Sequence, residues 1–165
     1  MARNNRRLTS GQSASKCMSP DVPPNPAATK HVSFKALHRF AREAFERVGM
    51  AEADAVLGAD VLATTDAWGV FTHGTKLLRS YLRRLKAGGL RVRGHPCVTA
   101  EGPAWALVDG DSSLGMVSSA FGMQTALAKA RACGIAYVGV RNNCHYGAAG
   151  YYAWLPAREG LIPAP

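Results

Sequence analysis

Two short stretches hold the residues best suited to chemistry. The first is Arg141-Asn142-Asn143-Cys144-His145-Tyr146-Gly147-Ala148-Ala149-Gly150-Tyr151-Tyr152. The second is Thr72-His73-Gly74-Thr75-Lys76. Each carries a histidine near a glycine at a predicted junction between elements, where a side chain can face a ligand. Histidine titrates near neutral pH, so it can take up and return a proton within one reaction cycle. Thr72 is placed to orient the His73 ring or to bond to a substrate. Lys76 falls in the first turn of a predicted helix, where its ammonium can join the free backbone amides around a carboxylate. Tyr81 lies farther along that helix, where a core role is the plainer reading. Gly147-Ala148-Ala149-Gly150 permits close approach of a phosphate or a planar ring. It is neither a G-x-G-x-x-G fingerprint nor a Walker loop. Together these roles fit chemistry on a small anionic molecule.

The competing readings rank lower. A single histidine in a loop more often caps or packs than reacts; two in such loops, with a lysine and tyrosines nearby, favour function. His31, His38 and His95 have no evident partner. Cys144 as a nucleophile is disfavoured because neighbouring side chains on an extended backbone point to opposite sides. A metal held by His73 and His145 lacks a third ligand.

The elements that must position these residues follow from spacing and punctuation. Ser33 can cap a helix from Phe34 to about Val48, with Phe34, Leu37, Ala41, Ala44, Phe45 and Val48 on one stripe. A second helix is predicted from Glu52 to about Asp66, with Ala55, Val56, Ala59 and Leu62 inward. A third follows from Gly74, burying Leu77, Leu78, Tyr81, Leu82 and Leu85, and Gly88-Gly89 stops it. Residues 90–98 read as extended and turn-rich. Trp105 to Val108 and Ile135 to Val140 read as buried strands. The helix between them, Met116 to Ala132, presents Val117, Ala120, Phe121, Gln124, Leu127 and Ala128 along one side. That run is long enough for a parallel βαβ crossover. Gly147 to about Glu159 reads as a helix kinked or cut short by Pro156. Leu161-Ile162 looks like the start of another strand.

Bulk properties narrow the class. A chain of 165 residues with 47% apolar residues suits one domain. No apolar run is long enough to span a membrane. The basic N-terminus has no apolar segment behind it, so it is not a secretory signal. Four scattered cysteines form neither a disulfide framework nor a zinc spacing and suit a reducing, cytoplasmic compartment. Residues 1–30, with four prolines and few large apolar side chains, read as a disordered basic tail. The folded domain is predicted over 31–162, and 163–165 form a short separate end. The net charge is +9. Lys76, Arg79, Arg83, Arg84, Lys86, Arg91 and Arg93 fall in one segment without an acid. That segment supports an alternative function, a non-catalytic basic module for nucleic acid or another anionic partner.

The pattern Thr72-His73-Gly74-Thr75-Lys76-Leu77-Leu78-x-x-Tyr81-x-x-Arg84-Leu85, with Asn143-x-His145-x-Gly147-Ala148-Ala149-Gly150-Tyr151-Tyr152, resembles the type-2 malate/L-lactate dehydrogenase family. Thr65-Asp66-Ala67-x-Gly69 matches as well, and the similarity runs from about Val32 to Ile162. The resemblance implies an α/β fold of non-Rossmann type, an N-terminal helical segment followed by βαβ units, incomplete at the C-terminus. It implies hydride transfer between NAD or NADP and a small 2-hydroxy acid, with the 2-oxo acid as the other partner. His73, Thr72 and His145 correspond to the catalytic positions. Lys76 and Tyr81 correspond to substrate contacts. His145, Tyr146, Gly147, Ala148 and Ala149 correspond to cofactor contacts. The resemblance also implies a homodimer, no membrane and no metal, and it leaves nucleic acid as the lesser partner. It further implies that the chain is an N-terminal fragment of such an enzyme, with its own activity open.

Overall fold

Helix α1 (Phe34–Arg47) begins where Ser33 accepts a hydrogen bond from the Ala36 amide at 3.2 Å. That cap satisfies one of the donors left free in the first turn. The structure is a computed structural model that describes residues 31–163. The tail predicted for 1–30, and residues 164–165 of the short C-terminal end, lie outside the described residues.

Along α1 the predicted stripe buries Ala41 and Phe45, while Phe34 at its start is exposed. Helix α2 (Glu52–Ala67) packs on α1. Ala55, Ala59 and Leu62 are buried as the spacing predicts. Val56 is exposed instead, because Gly58 and Val61 complete the inner face. The two helices approach closely at Gly58, where an added Cβ would stand 2.9 Å from the Phe45 ring.

Two 3₁₀ turns, Phe71–His73 and Thr75–Leu77, follow α2 and lead into α3 (Leu78–Lys86). The third helix therefore starts later than the sequence predicts. The reason lies in Asp66, whose carboxylate takes the Thr75 amide and hydroxyl and holds that segment as a separate tight turn. Tyr81 and Leu85 of α3 face the core with Leu78.

The sheet has the order β1-β2-β3. β1 (Cys97–Gly102) runs antiparallel to β2 (Trp105–Asp109), and β2 runs parallel to β3 (Tyr137–Arg141). The crossover between β2 and β3 is α4 (Gly115–Cys133), the predicted βαβ unit. β1 was legible only as extended chain because none of its residues is buried, so no alternation marks it.

Three predictions of burial fail. β2 alternates, with Ala106 and Val108 inside and Trp105 and Leu107 exposed. The predicted strand at 135–140 starts later, and Ile135 and Tyr137 are 73% and 76% exposed. On α4, Gln124 and Ala128 are exposed, while Met116, Ser118, Ala120 and Gly122 are buried. Ile135 and Tyr137, with Met123, Ala126 and Leu127 of α4, line an open groove of about 820 Å³ between α4, β3 and the segment after β3; Trp105 and Leu107 lie outside it. The α4 stripe was also ambiguous in itself, since alanine, glycine and serine surround that helix. Helix α5 (Ala149–Ala157) contains Pro156 and ends one residue beyond it. Leu161 and Ile162 form no strand, and Ile162 is fully exposed.

Candidate functional site

The chain brings the two sequence motifs together from a separation of 72 positions. The rings of His73 and His145 stack with centroids 5.5 Å apart and planes inclined by 25°. Both line a shallow cleft of about 370 Å³, with Val70, Tyr146, Gly147, Ala148 and Ala149 as the other walls.

His73 ends the first 3₁₀ turn. Its Nδ1 lies 2.9 Å from the Thr72 hydroxyl, which fixes the ring's orientation. The turn itself is fixed from α2. Asp66 Oδ2 accepts the Thr75 amide at 2.9 Å and the Thr75 hydroxyl at 2.5 Å. Gly74 lies against that same carboxylate, so a Cβ there would collide with it. The spacing from Asp66 to Thr75 thus reads as a clamp that presents His73.

His145 sits in the loop between β3 and α5, and polar contacts hold that loop from three sides. Asn143 Oδ1 accepts the buried Ser118 hydroxyl at 2.7 Å and the Cys144 amide at 2.8 Å. The Tyr152 hydroxyl donates to the Tyr146 carbonyl at 2.6 Å. On the other side of α5, the Tyr151 hydroxyl donates to Asp60 of α2 at 2.5 Å. At the exits of β2 and β3, Asp109 accepts from the Asp111 amide and the Asn142 side chain. The Asp111 amide, the Asn142 amide group and Arg141 hold its carboxyl below the usual carboxylate range. Gly147 adopts φ +85°, a left-handed conformation that glycine takes without strain.

His145 Nδ1 meets the Tyr81 hydroxyl at 2.6 Å and the Gly147 amide at 3.3 Å. Burial, then the proximity of His73 and Arg84, lowers the ring's pKa below its ordinary 6.5, so it is neutral at pH 7. Burial pushes Tyr81 up to about 12 and also raises the Cys144 thiol. A raised thiol pKa leaves little thiolate, against a nucleophilic Cys144. Its sulfur points to the His145 carbonyl at 3.4 Å.

The remaining predicted residues fall differently. Tyr146, Gly147, Ala148 and Ala149 join the cleft wall. Lys76 is exposed on the second 3₁₀ turn, ahead of α3 rather than in its first turn, and does not line the cleft. Tyr81 is 3% exposed and stands behind His145. Asp66, Asn143 and Ser118 had no role assigned from sequence. For Asp66 and Asn143 a signal existed: a short polar side chain within reach of a glycine-bearing loop. Ser118, inside an apolar helix, gave none.

A cleft with two adjacent imidazoles and a wall of small side chains can exchange a proton with a small molecule beside a flat apolar partner. The sequence pattern described as malate/L-lactate dehydrogenase matches residues 32–164. The chain is 40% identical over 126 residues to malate dehydrogenase of Pyrococcus abyssi, covering 76% of this chain and 35% of that protein. It is 34% identical over 120 residues to L-sulfolactate dehydrogenase of Methanocaldococcus jannaschii, covering 73% of this chain and 35% of that one. The solved structure of malate dehydrogenase from Pyrococcus horikoshii OT3 superposes with a TM-score of 0.78 at 39% identity, over 79% of this chain and 38% of that chain.

Proposed function

The chain belongs to the malate/L-lactate dehydrogenase family, and from that premise we propose that its cleft is one side of a site that oxidises a small 2-hydroxy acid to the 2-oxo acid. The chain spans little more than a third of the length of the relatives it matches. The proposed activity is therefore that of a polypeptide with the relatives' full extent. The observation that carries the reading is the stacking of His73 and His145 from two motifs.

In this reading the two imidazoles hold the oxygen on C2 and handle the hydroxyl proton, and Thr72 orients His73. The residues present fit the nicotinamide end of NAD or NADP. Gly147, Ala148 and Ala149 leave the wall flat, and the first amides of α5 carry no side-chain cap. When bound, that cofactor supplies the hydride acceptor, and in reverse the hydride donor. Tyr146 and His145 flank the place for it. Lys76 supplies positive charge for a substrate carboxylate if its flexible side chain reaches over from the neighbouring turn. A homodimer working in the cytoplasm completes the proposal. Among the described residues no helix is long and apolar enough to cross a membrane.

The test is nicotinamide-linked oxidation of malate, lactate and ureidoglycolate by a full-length relative and by this chain. A relative inactive on every such acid sinks the reading. The basic-module alternative rests on Arg79, Arg83, Arg84 and Lys86, exposed on α3 without an ion pair among the described residues. A solvated helix face explains them equally well. Binding to DNA or RNA that weakens steeply with salt would revive that alternative.

A further inference from the structure

Tyr81 has a place in the site that a substrate contact does not explain. It is buried, and its hydroxyl is turned to Nδ1 of His145 at 2.6 Å. The same nitrogen receives the backbone N–H of Gly147 at 3.3 Å. A neutral imidazole nitrogen carries either a proton or a lone pair. The Gly147 N–H can only donate, so Nδ1 must present its lone pair. The proton of the neutral ring then lies on Nε2. The Tyr81 hydroxyl, which can donate or accept, is thereby cast as the donor. Burial keeps that hydroxyl protonated at neutral pH. Among the described residues no hydrogen bond reaches Nε2, which leaves it to the cleft.

We propose that Tyr81 is a positioning residue: with the Gly147 amide it locks His145 in the Nε2–H tautomer, so that this ring offers the cleft a hydrogen-bond donor. The functional meaning rests on the dehydrogenase reading, although the test does not. A donor at that point grips the oxygen on C2 and polarises the carbonyl of a 2-oxo acid. It also divides the work of the two rings. Thr72 can accept from Nδ1–H of His73, which leaves the His73 Nε2 lone pair to take the substrate's hydroxyl proton. His145 itself is a poor acceptor in this arrangement. Adding a proton at Nδ1 would force Tyr81 to turn from donor to acceptor and would strip Gly147 of its partner.

The test is long-range ¹H–¹⁵N spectroscopy of the full 165-residue chain labelled at histidine, at pH ~7.5, where the ring is neutral. His73→Gln and His145→Gln assign the two rings by loss of signals. The expected result is a protonated Nε2 and an unprotonated Nδ1 for His145. In Tyr81→Phe the Nδ1 resonance should move toward the protonated position as the other tautomer becomes populated. If Tyr81→Phe fails to fold, 3-fluorotyrosine installed site-specifically at position 81 replaces it. It strengthens the hydroxyl as a donor and should move the same resonance. Protonated Nδ1 in the native chain, or a His145 ring indifferent to both changes at residue 81, overturns the proposal. The absence of dehydrogenase turnover in full-length relatives would remove the functional reading and leave the tautomer result standing.

Discussion

The His73–His145 cleft and the groove beside β3 are built from the same elements and could hardly differ more. At the cleft, almost every polar group that shapes the loops has a named partner: Asp66 with Thr75, Asn143 with Ser118 and Cys144, Tyr152 with the Tyr146 carbonyl. At the groove, side chains are apolar and uncovered, among them Ile135, Tyr137 and Ile162. The difference teaches how such a site is made. Its two histidines are held locally, by short polar clamps that reach back to α2 and α4. The groove is of the kind that a larger fold closes with more chain, and the relatives have nearly two thirds of their length beyond the matched part. Positioning and enclosure are thus separate tasks in this fold.

Breaking a clamp should cost more than changing the groove. Asn143→Ala removes the acceptor for the Cys144 amide and the shorter of two for the Ser118 hydroxyl, which also reaches the Gly115 carbonyl at 3.2 Å. It should lower stability by about 1.5 kcal/mol, the upper range for a typical hydrogen bond. Thermal unfolding should show a drop of several degrees, and amide exchange should accelerate first in residues 142–148. An unchanged midpoint would mean that the loop does not depend on this clamp. Tyr152→Phe deletes one hydrogen bond, to Tyr146, and leaves the ring packed. Its expected cost is about 1 kcal/mol in denaturant titration.

Acid should weaken the cleft specifically. The folded pKa of His145 is lowered, so folding favours the neutral ring. That contribution is fully present above the ordinary value of 6.5 and is lost as pH falls through the lowered folded value. His145→Gln should remove this part of the pH dependence in melting curves between neutral pH and mild acid. The ring is partly exposed, so the effect is small. Smallest of all is Ile135→Ser at the groove. It should change stability by less than ~0.5 kcal/mol, the range for exposed positions, while reducing binding of a hydrophobic dye. A large loss of stability there would show that the groove face is not the open surface described.

The sequence made some of this legible for identifiable reasons. α1 and α2 were readable because their apolar residues face one neighbour at helical spacing. The βαβ unit was readable from its two apolar runs and the helix between them. β1 was lost because an exposed edge strand has no alternation to betray it. The inward faces of α4 and β2 were misjudged because apolar residues lie on both the covered and the open sides. His73 and His145 could be named as a pair, but Tyr81's partner could not. The bond from Tyr81 to His145 joins positions 64 apart and depends on how α3 is turned. Asp66 and Asn143 were visible as motif letters only; their work appears once the turn and loop are folded.

The most direct test grafts Val32–Ile162 of this chain onto the remainder of the Pyrococcus horikoshii malate dehydrogenase and follows nicotinamide reduction with malate, lactate and sulfolactate. Turnover is expected in a cooperatively folding chimaera. His73→Ala and His145→Ala should each lower kcat by roughly 10²–10⁴-fold, the scale of general acid–base catalysis, with melting temperatures nearly unchanged. A folded chimaera that turns over as well without both histidines would contradict that role for the two rings.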